Sequence, residues 1–211
     1  MKVLNAAESE NFLKEYLPVA RSSLVGDFDE ALRFVSKNNY PVVLKLISEK
    51  IIHKTDYKAV AIVKNEEEMG REFDRLLEFA RKKRLKIDGI MVQEFFNGKE
   101  VIIGLKKDDS FEHVIMFGIG GIYAELLRDV SFRVCPITSD DADEMLSELK
   151  LKKLLEGVRG EARVNLKLLK NILVRVSKIP EKNKNIKEMD INPFIINANE
   201  GKLVDARIVL E

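Results

Sequence analysis

The stretch Tyr40-Pro41-Val42-Val43-Leu44-Lys45-Leu46-Ile47 constrains the fold more than any other part of the chain. A nearly continuous apolar run of strand length reads as a strand buried on both faces. A lysine sits in its middle. An ammonium group withdrawn from water is costly unless an anion meets it. Lys45 therefore needs either a carboxylate of the protein or the phosphate of a ligand. The ordinary alternative is a lysine whose stem lies along the strand while its head snorkels to water from the sheet edge.

Helical and strand periods alternate around this run. Glu8–Tyr16 reads as a helix stopped by Pro18, Val19–Val25 as a short strand and Glu30–Lys37 as a helix. Asn65 and Glu68 stand at capping-box spacing ahead of Met69, Phe73, Leu76, Leu77 and Ala80, and Arg81–Lys86 supplies cations that suit a helix C-terminus. The pattern then turns to strands. Gly89–Phe95 and Glu100–Lys107 flank Asn97-Gly98, a hairpin signal. Further strands are expected at His113–Phe117, Ser131–Pro136, Ile186–Asn197 and Lys202–Val209, with helices over Asp140–Leu149 and Asn165–Ser177. The expectation is an α+β fold with mostly antiparallel sheets. Its two lobes divide near Ile87, with residues 1–86 carrying the Lys45 strand and 87–211 the rest, together forming one functional unit.

Composition narrows the function. A chain of 211 residues, 45% of them hydrophobic, can bury a core and is not disordered. Its 36 Lys+Arg and 35 Asp+Glu leave a net charge of +1, without the basic excess of a nucleic-acid binder. No apolar run reaches the roughly 20 residues of a membrane span, and the start MKVLNAAESE has no apolar signal core. The lone Cys135 leaves no internal disulfide and fits a reducing cytoplasm; with only two histidines it argues against a His/Cys zinc site. The chain is thus expected in the cytoplasm, with neither nucleic acid nor membrane as a partner.

Three groups of residues besides Lys45 could carry chemistry. His53-Lys54-Thr55-Asp56 packs a titratable ring, a cation, a hydroxyl and a carboxylate into the loop after the lysine strand, where imidazole could act as a nucleophile; four polar residues also make an ordinary solvated turn. Gly118, Gly120 and Gly121 could let backbone amides cradle phosphate or simply make a turn. Glu188, Asp190 and Asn192 share one face of a strand because side chains alternate, and Asp205 stands on the partner strand. Oxygen ligands so arranged suit a magnesium–phosphate site, or the solvent face of an edge strand. Glu94 and Glu100 have no role readable from spacing. Arg133 is a second cation within an apolar strand pattern.

In this order the motifs resemble the ATP-grasp β subunit of ADP-forming acyl-CoA synthetases, the acetate–CoA ligase group, and more distantly succinyl-CoA synthetase β subunits. The resemblance runs from about Glu8 to Leu210. It is carried by Tyr40–Lys45, His53–Asp56, Met91-Val92-Gln93-Glu94, Glu100–Gly104, Met116–Ile122, Leu127–Arg133, Asp190-Ile191-Asn192-Pro193 and Val204–Arg207.

The resemblance implies two α+β lobes that clasp ADP or ATP with Mg²⁺. Lys45 matches a phosphate-contacting lysine. Gln93, Glu94 and Phe95 match the segment that reads adenine, largely through backbone groups, and Glu100 matches a nucleotide-side glutamate. Asn192 and Asp205, with Asp190 beside them, match magnesium ligands. His53 matches a histidine that carries phosphate transiently, and Gly118, Gly120, Gly121 and Arg133 would hold the transferring phosphoryl group. The implied partner is an α subunit carrying the CoA-binding and ligase domains, in an α₂β₂ assembly. One departure stands out: the family's usual Val-Gly-Gly-Val after the histidine motif is here Tyr57-Lys58-Ala59-Val60, which bears on loop motion and phosphate fit. A stand-alone ATP-grasp carboxylate ligase and a non-catalytic nucleotide-binding subunit are the alternatives.

Overall fold

The computed structural model describes residues 1–48, 58–121, 129–158 and 160–211. In chain order the elements are β1 (Lys2–Leu4), α1 (Ala6–Leu13), β2 (Ser22–Val25), α2 (Phe28–Asn38), β3 (Val42–Ile47), β4 (Val60–Val63), α3 (Glu66–Lys82), β5 (Gly89–Glu94), β6 (Lys99–Asp108), β7 (Glu112–Ile119) and β8 (Val130–Val134). Then come α4 (Ser139–Glu148), α5 (Lys153–Glu156), α6 (Leu166–Ser177), α7 (Ile179–Lys182), β9 (Ile186–Ile196), β10 (Gly201–Leu203) and β11 (Ala206–Leu210). They form two units, Ala20–Phe96, and Met1–Val19 with Asn97–Glu211. Among the described residues no helix is long and apolar enough to cross a membrane.

Residues 20–96 build an antiparallel sheet in the order β2-β5-β3-β4. Helix α3 starts where the Asn65 side chain accepts the Glu68 amide at 2.9 Å, with Glu66, Glu67 and Glu68 in its first turn and Arg81 and Lys82 in its last, so charge complements the dipole at both ends. Its Met69, Phe73, Leu76 and Ala80 join Ala31 and Val35 of α2 over Val42, Leu44 and Leu46 of β3 and Ile90 and Val92 of β5. The strand pleat then sends Val43, Lys45 and Ile47 to the opposite face. The β3 expectation holds, lysine included: Lys45 is 6% exposed.

The second unit holds a larger sheet, in the order β1-β11-β9-β6-β7-β8 with β10 beside β9. Ile103, Leu105, Ile115, Phe117, Met189, Ile191 and Ile208 form the buried face and pack with Met145 of α4 and Leu169, Ile172, Leu173 and Val176 of α6. On the other face, register aligns Phe132, Met116, Gly104, Asp190 and Arg207 in one row across five strands. The β6–β9 ladder slips between Val101, opposite Phe194, and Ile103, opposite Ile191. Asn192 and Pro193 therefore face the single residue Ile102, a bulge that suits a proline with no amide to donate.

Two expectations are corrected. Asn97-Gly98 does not turn a hairpin: β5 is hydrogen-bonded on both edges, to β2 and to β3, so it has no edge left for β6. For the same reason the expected division near Ile87 gives way to one at Phe96/Asn97, and the first nineteen residues join the later unit because β1 pairs with β11. Gly98 is needed for a close approach instead, since a Cβ there would lie 2.5 Å from the Ile196 carbonyl oxygen. Gly98→Ala is expected to cost about 1–3 kcal/mol in urea unfolding; an unchanged midpoint would mean that the crossing relaxes freely.

Candidate active site

In the smaller unit, Lys45 and Gln93 share the face turned away from the helices. Their strands are neighbours, with Val43 opposite Gln93 and Lys45 opposite Met91, and both side chains are buried. A cation and an amide are thus presented on one face, from diagonal positions of neighbouring strands. Glu94, the next residue, alternates to the helix side. Its carboxylate accepts the Arg21 amide at 2.8 Å, Arg21 Nε at 2.8 Å and Arg21 Nη2 at 2.7 Å. The Glu94 amide donates to the Arg21 carbonyl at 2.9 Å and the Phe95 amide to the Pro41 carbonyl at 3.3 Å. Phe95 itself is exposed. Arg21 was not singled out by the sequence, because it stands beside Ser22 and Ser23 in a short, partly polar strand pattern where a cation is not out of place. His53, with Lys54, Thr55, Asp56 and Tyr57, lies outside the described residues.

In the larger unit the Asn192-Pro193 bulge brings two expected metal ligands together. The Asn192 amide donates to the Asp205 carbonyl at 3.1 Å, and Asp205 occupies the two-residue link between β10 and β11. Glu188, Asp190 and Asn192 alternate with buried Met189 and Ile191, so all three acidic or amide groups face away from the core, as expected. The donor set is all oxygen. Among the described residues no three His, Cys, Asp or Glu side chains cluster closely enough to cage a metal. An all-oxygen set is the kind that suits Mg²⁺, which keeps most of its waters and is held by one or two protein oxygens together with substrate phosphate.

The glycines have a packing reason. The Gly120 amide donates to the Glu100 carbonyl at 2.8 Å, and a Cβ on Gly120 would sit 2.9 Å from the Glu100 backbone carbon. A Cβ on Gly118 would lie 2.8 Å from Val130 Cγ1 and 3.0 Å from the Asp129 carbonyl oxygen. Gly121 has φ +74° and would place its Cβ 3.5 Å from Glu100 Oε2, so the glycine run and the Glu100 side chain are brought together.

Arg133 does not join them. It stands opposite Ile115, on the helix-covered face of the sheet, whereas Asp190 and Asn192 look out from the other. Its guanidinium is engaged by Glu148 at 2.6 Å and Glu144 at 3.1 Å on α4, with Nη1 also donating to the Phe132 carbonyl at 2.8 Å. The expectation of a phosphoryl-holding Arg133 is replaced by a strut between β8 and α4. Ser131, on the same face, adds a hydrogen bond to Glu148, and Asp129 accepts the amides of Lys150 and Leu151 beyond the helix end at 3.0 and 2.8 Å.

The chain is similar to known proteins over nearly its whole length. The ATP-grasp domain family matches residues 1–210. The chain is 42% identical to the acetate–CoA ligase (ADP-forming) II subunit β of Pyrococcus furiosus, covering 97% of this chain and 90% of that one. It is 39% identical to the 4-hydroxybutyrate–CoA ligase (ADP-forming) of Nitrosopumilus maritimus, of whose longer chain it spans 30%. A structure of the dinucleotide-forming acetyl-coenzyme A synthetase 1 of Ca. Korarchaeum cryptofilum, in complex with coenzyme A and Ca-AMPCP, superposes with a TM-score of 0.95 at 40% identity, over 100% of this chain and 94% of that one. Another structure of that enzyme holds coenzyme A and Mg-AMPPCP, its phosphohistidine segment pointing towards the nucleotide binding site (TM-score 0.86, 39% identity, 100% and 93% covered). The chain belongs to the ATP-grasp family and, within it, to the group of the ADP-forming acetate–CoA ligase β subunits.

The strut yields a prediction. Hydrogen bonds from Arg133 hold the Glu148 carboxyl below its usual range, and Glu148 in turn raises the Arg133 guanidinium. A carboxyl depressed in the folded state stabilises at neutral pH, and that contribution is lost as pH falls through the carboxylate range. Arg133→Ala should therefore lower stability at pH 7 by up to about 1 kcal/mol, since both glutamates are well exposed. In thermal melts across pH the gap to wild type should narrow progressively as pH falls through and below the ordinary carboxylate range. A gap that persists in acid would assign Arg133 a role other than this ion pair.

Proposed function

We propose that this chain is the nucleotide-handling β subunit of an ADP-forming acyl–CoA ligase. The overall reaction converts acyl-CoA, ADP and phosphate to carboxylic acid, ATP and CoA. The β part moves the phosphoryl group between a phosphohistidine and ADP. The observation that carries this reading is the 42% identity across 90% of a β subunit of that activity. The reading implies an α subunit that supplies the CoA and acyl sites, in an α₂β₂ assembly within the cytoplasm.

Phosphoryl transfer asks the protein for positioning and charge neutralisation more than for covalent work. Lys45, withdrawn from water on the inner strand, is assigned to the nucleotide phosphates, where a charge-assisted hydrogen bond offsets its desolvation. Gln93, Glu94 and Phe95 hold the base, chiefly by their backbone. Glu100 serves the nucleotide side, and Gly118, Gly120 and Gly121 allow the chain to pass close to the transferring group. Asp190, Asn192 and Asp205 would hold the nucleotide's Mg²⁺, which would supply positive charge against the phosphates. His53 is assigned as the carrier: its neutral imidazole takes the phosphoryl group from an acyl phosphate or phosphohistidine of the α partner, the N–P bond forming as the donor's bond to phosphorus breaks. A β-phosphate oxygen of ADP then forms the new P–O bond as the N–P bond breaks, returning neutral imidazole.

ADP or ATP with Mg²⁺ at about 100 times its Kd should stabilise the chain by roughly 2.7 kcal/mol. Lys45→Ala should remove much of that shift, and Asp205→Ala should abolish its dependence on Mg²⁺. A melt that ignores both nucleotides at millimolar concentration would contradict the assignment. His53→Ala should leave the shift intact. Phosphate labelling in the presence of acyl-CoA and the α partner should place an acid-labile, base-stable label on the wild-type chain and none on His53→Ala; equal labelling of both would remove His53 from the pathway.

A further inference from the structure

We propose that Arg21 is a positioning residue for nucleotide binding: it fixes the backbone that reads the base, acting through Glu94. The proposal rests on the nucleotide reading above and names a residue that reading does not use. Glu94 takes a carboxylate to 8% exposure at the end of β5, where a charge must be paired and hydrogen-bonded. Arg21 supplies both its backbone amide and the Nε and Nη2 arms of its guanidinium to that carboxylate. Its carbonyl takes the Glu94 amide in return. On the other side the Phe95 amide is held by Pro41, just ahead of β3. The two peptides that flank Glu94 are thus pinned, one from each of two neighbouring segments, at the position assigned to the base.

A base read by backbone groups depends on that backbone being held to within about half an ångström. The phosphates, read by a lysine on a central strand, do not. Arg21 also suits the task chemically, because its planar fork presents two donors in fixed geometry where lysine offers a single point charge. Its side chain is 63% exposed, so truncating it opens no cavity in the core. What is lost is the orientation of Glu94 and of the peptide that follows.

The experiment is calorimetric titration of the full chain with ADP-Mg and, separately, with tripolyphosphate-Mg, which has phosphates and no base. Arg21→Ala should weaken ADP by roughly tenfold and leave tripolyphosphate within about twofold, and Arg21→Lys should recover part of the loss. Glu94→Gln, which keeps the side-chain shape, should reproduce the base-specific loss, and the double variant should lose little more than either single one. Unchanged ADP affinity in Arg21→Ala, equal weakening of both ligands, or additive losses in the double variant would each overturn the proposal. A wild-type chain that binds no ADP would overturn the nucleotide reading itself before any variant is compared.

Discussion

A β-sheet has two faces, and in this protein each sheet gives one of them to a helical layer. That division governs where everything else can go. In residues 20–96 the helices claim Val42, Leu44 and Leu46, so the pleat turns Lys45 to the other side together with Gln93. In the larger unit the helices claim Met189 and Ile191, so Glu188, Asp190 and Asn192 look outward. The polar groups assigned to nucleotide and metal sit where they do because the alternate positions are occupied by core.

The same rule separates two cations that look alike in the sequence. Lys45 and Arg133 each interrupt an apolar strand pattern. Register places Arg133 in line with Ile115 and Leu105, on the covered face, where α4 meets it with two glutamates. Strand periodicity tells which residues share a face but not which face the helices will cover; that depends on pairings between segments far apart in the chain. Lys45 was legible because its neighbours on both sides are apolar over a long run. Arg133 was misread because its true partners, Glu144 and Glu148, belong to the following helix and carry no signal of their own.

Other misreadings have similar causes. Asn97-Gly98 has the composition of a tight turn, yet the strand before it is central in its own sheet, and the glycine answers instead to the nearby Ile196 carbonyl. The packing demand on the glycines at 118 and 120 was hidden as well: beside any anion cradle, the sheet's approach to Val130 and Glu100 requires them. The bulge at Asn192-Pro193 was only half visible: alternation placed the acidic face correctly, while the hydrogen bond that draws Asp205 to Asn192 appears only once β9 and β11 are in register. The α+β class, the antiparallel sheets and the strand carrying Lys45 were all readable, since each rests on local periodicity.

The central claim is that this chain performs the nucleotide half of a reaction whose other half belongs to a partner. Its most direct test is ATP formation from acyl-CoA, ADP and phosphate, measured with the chain alone, with its α partner alone and with the two reconstituted together. The account predicts ATP only from the reconstituted pair. ATP formed by this chain alone, or by the partner alone at the rate of the pair, would contradict it.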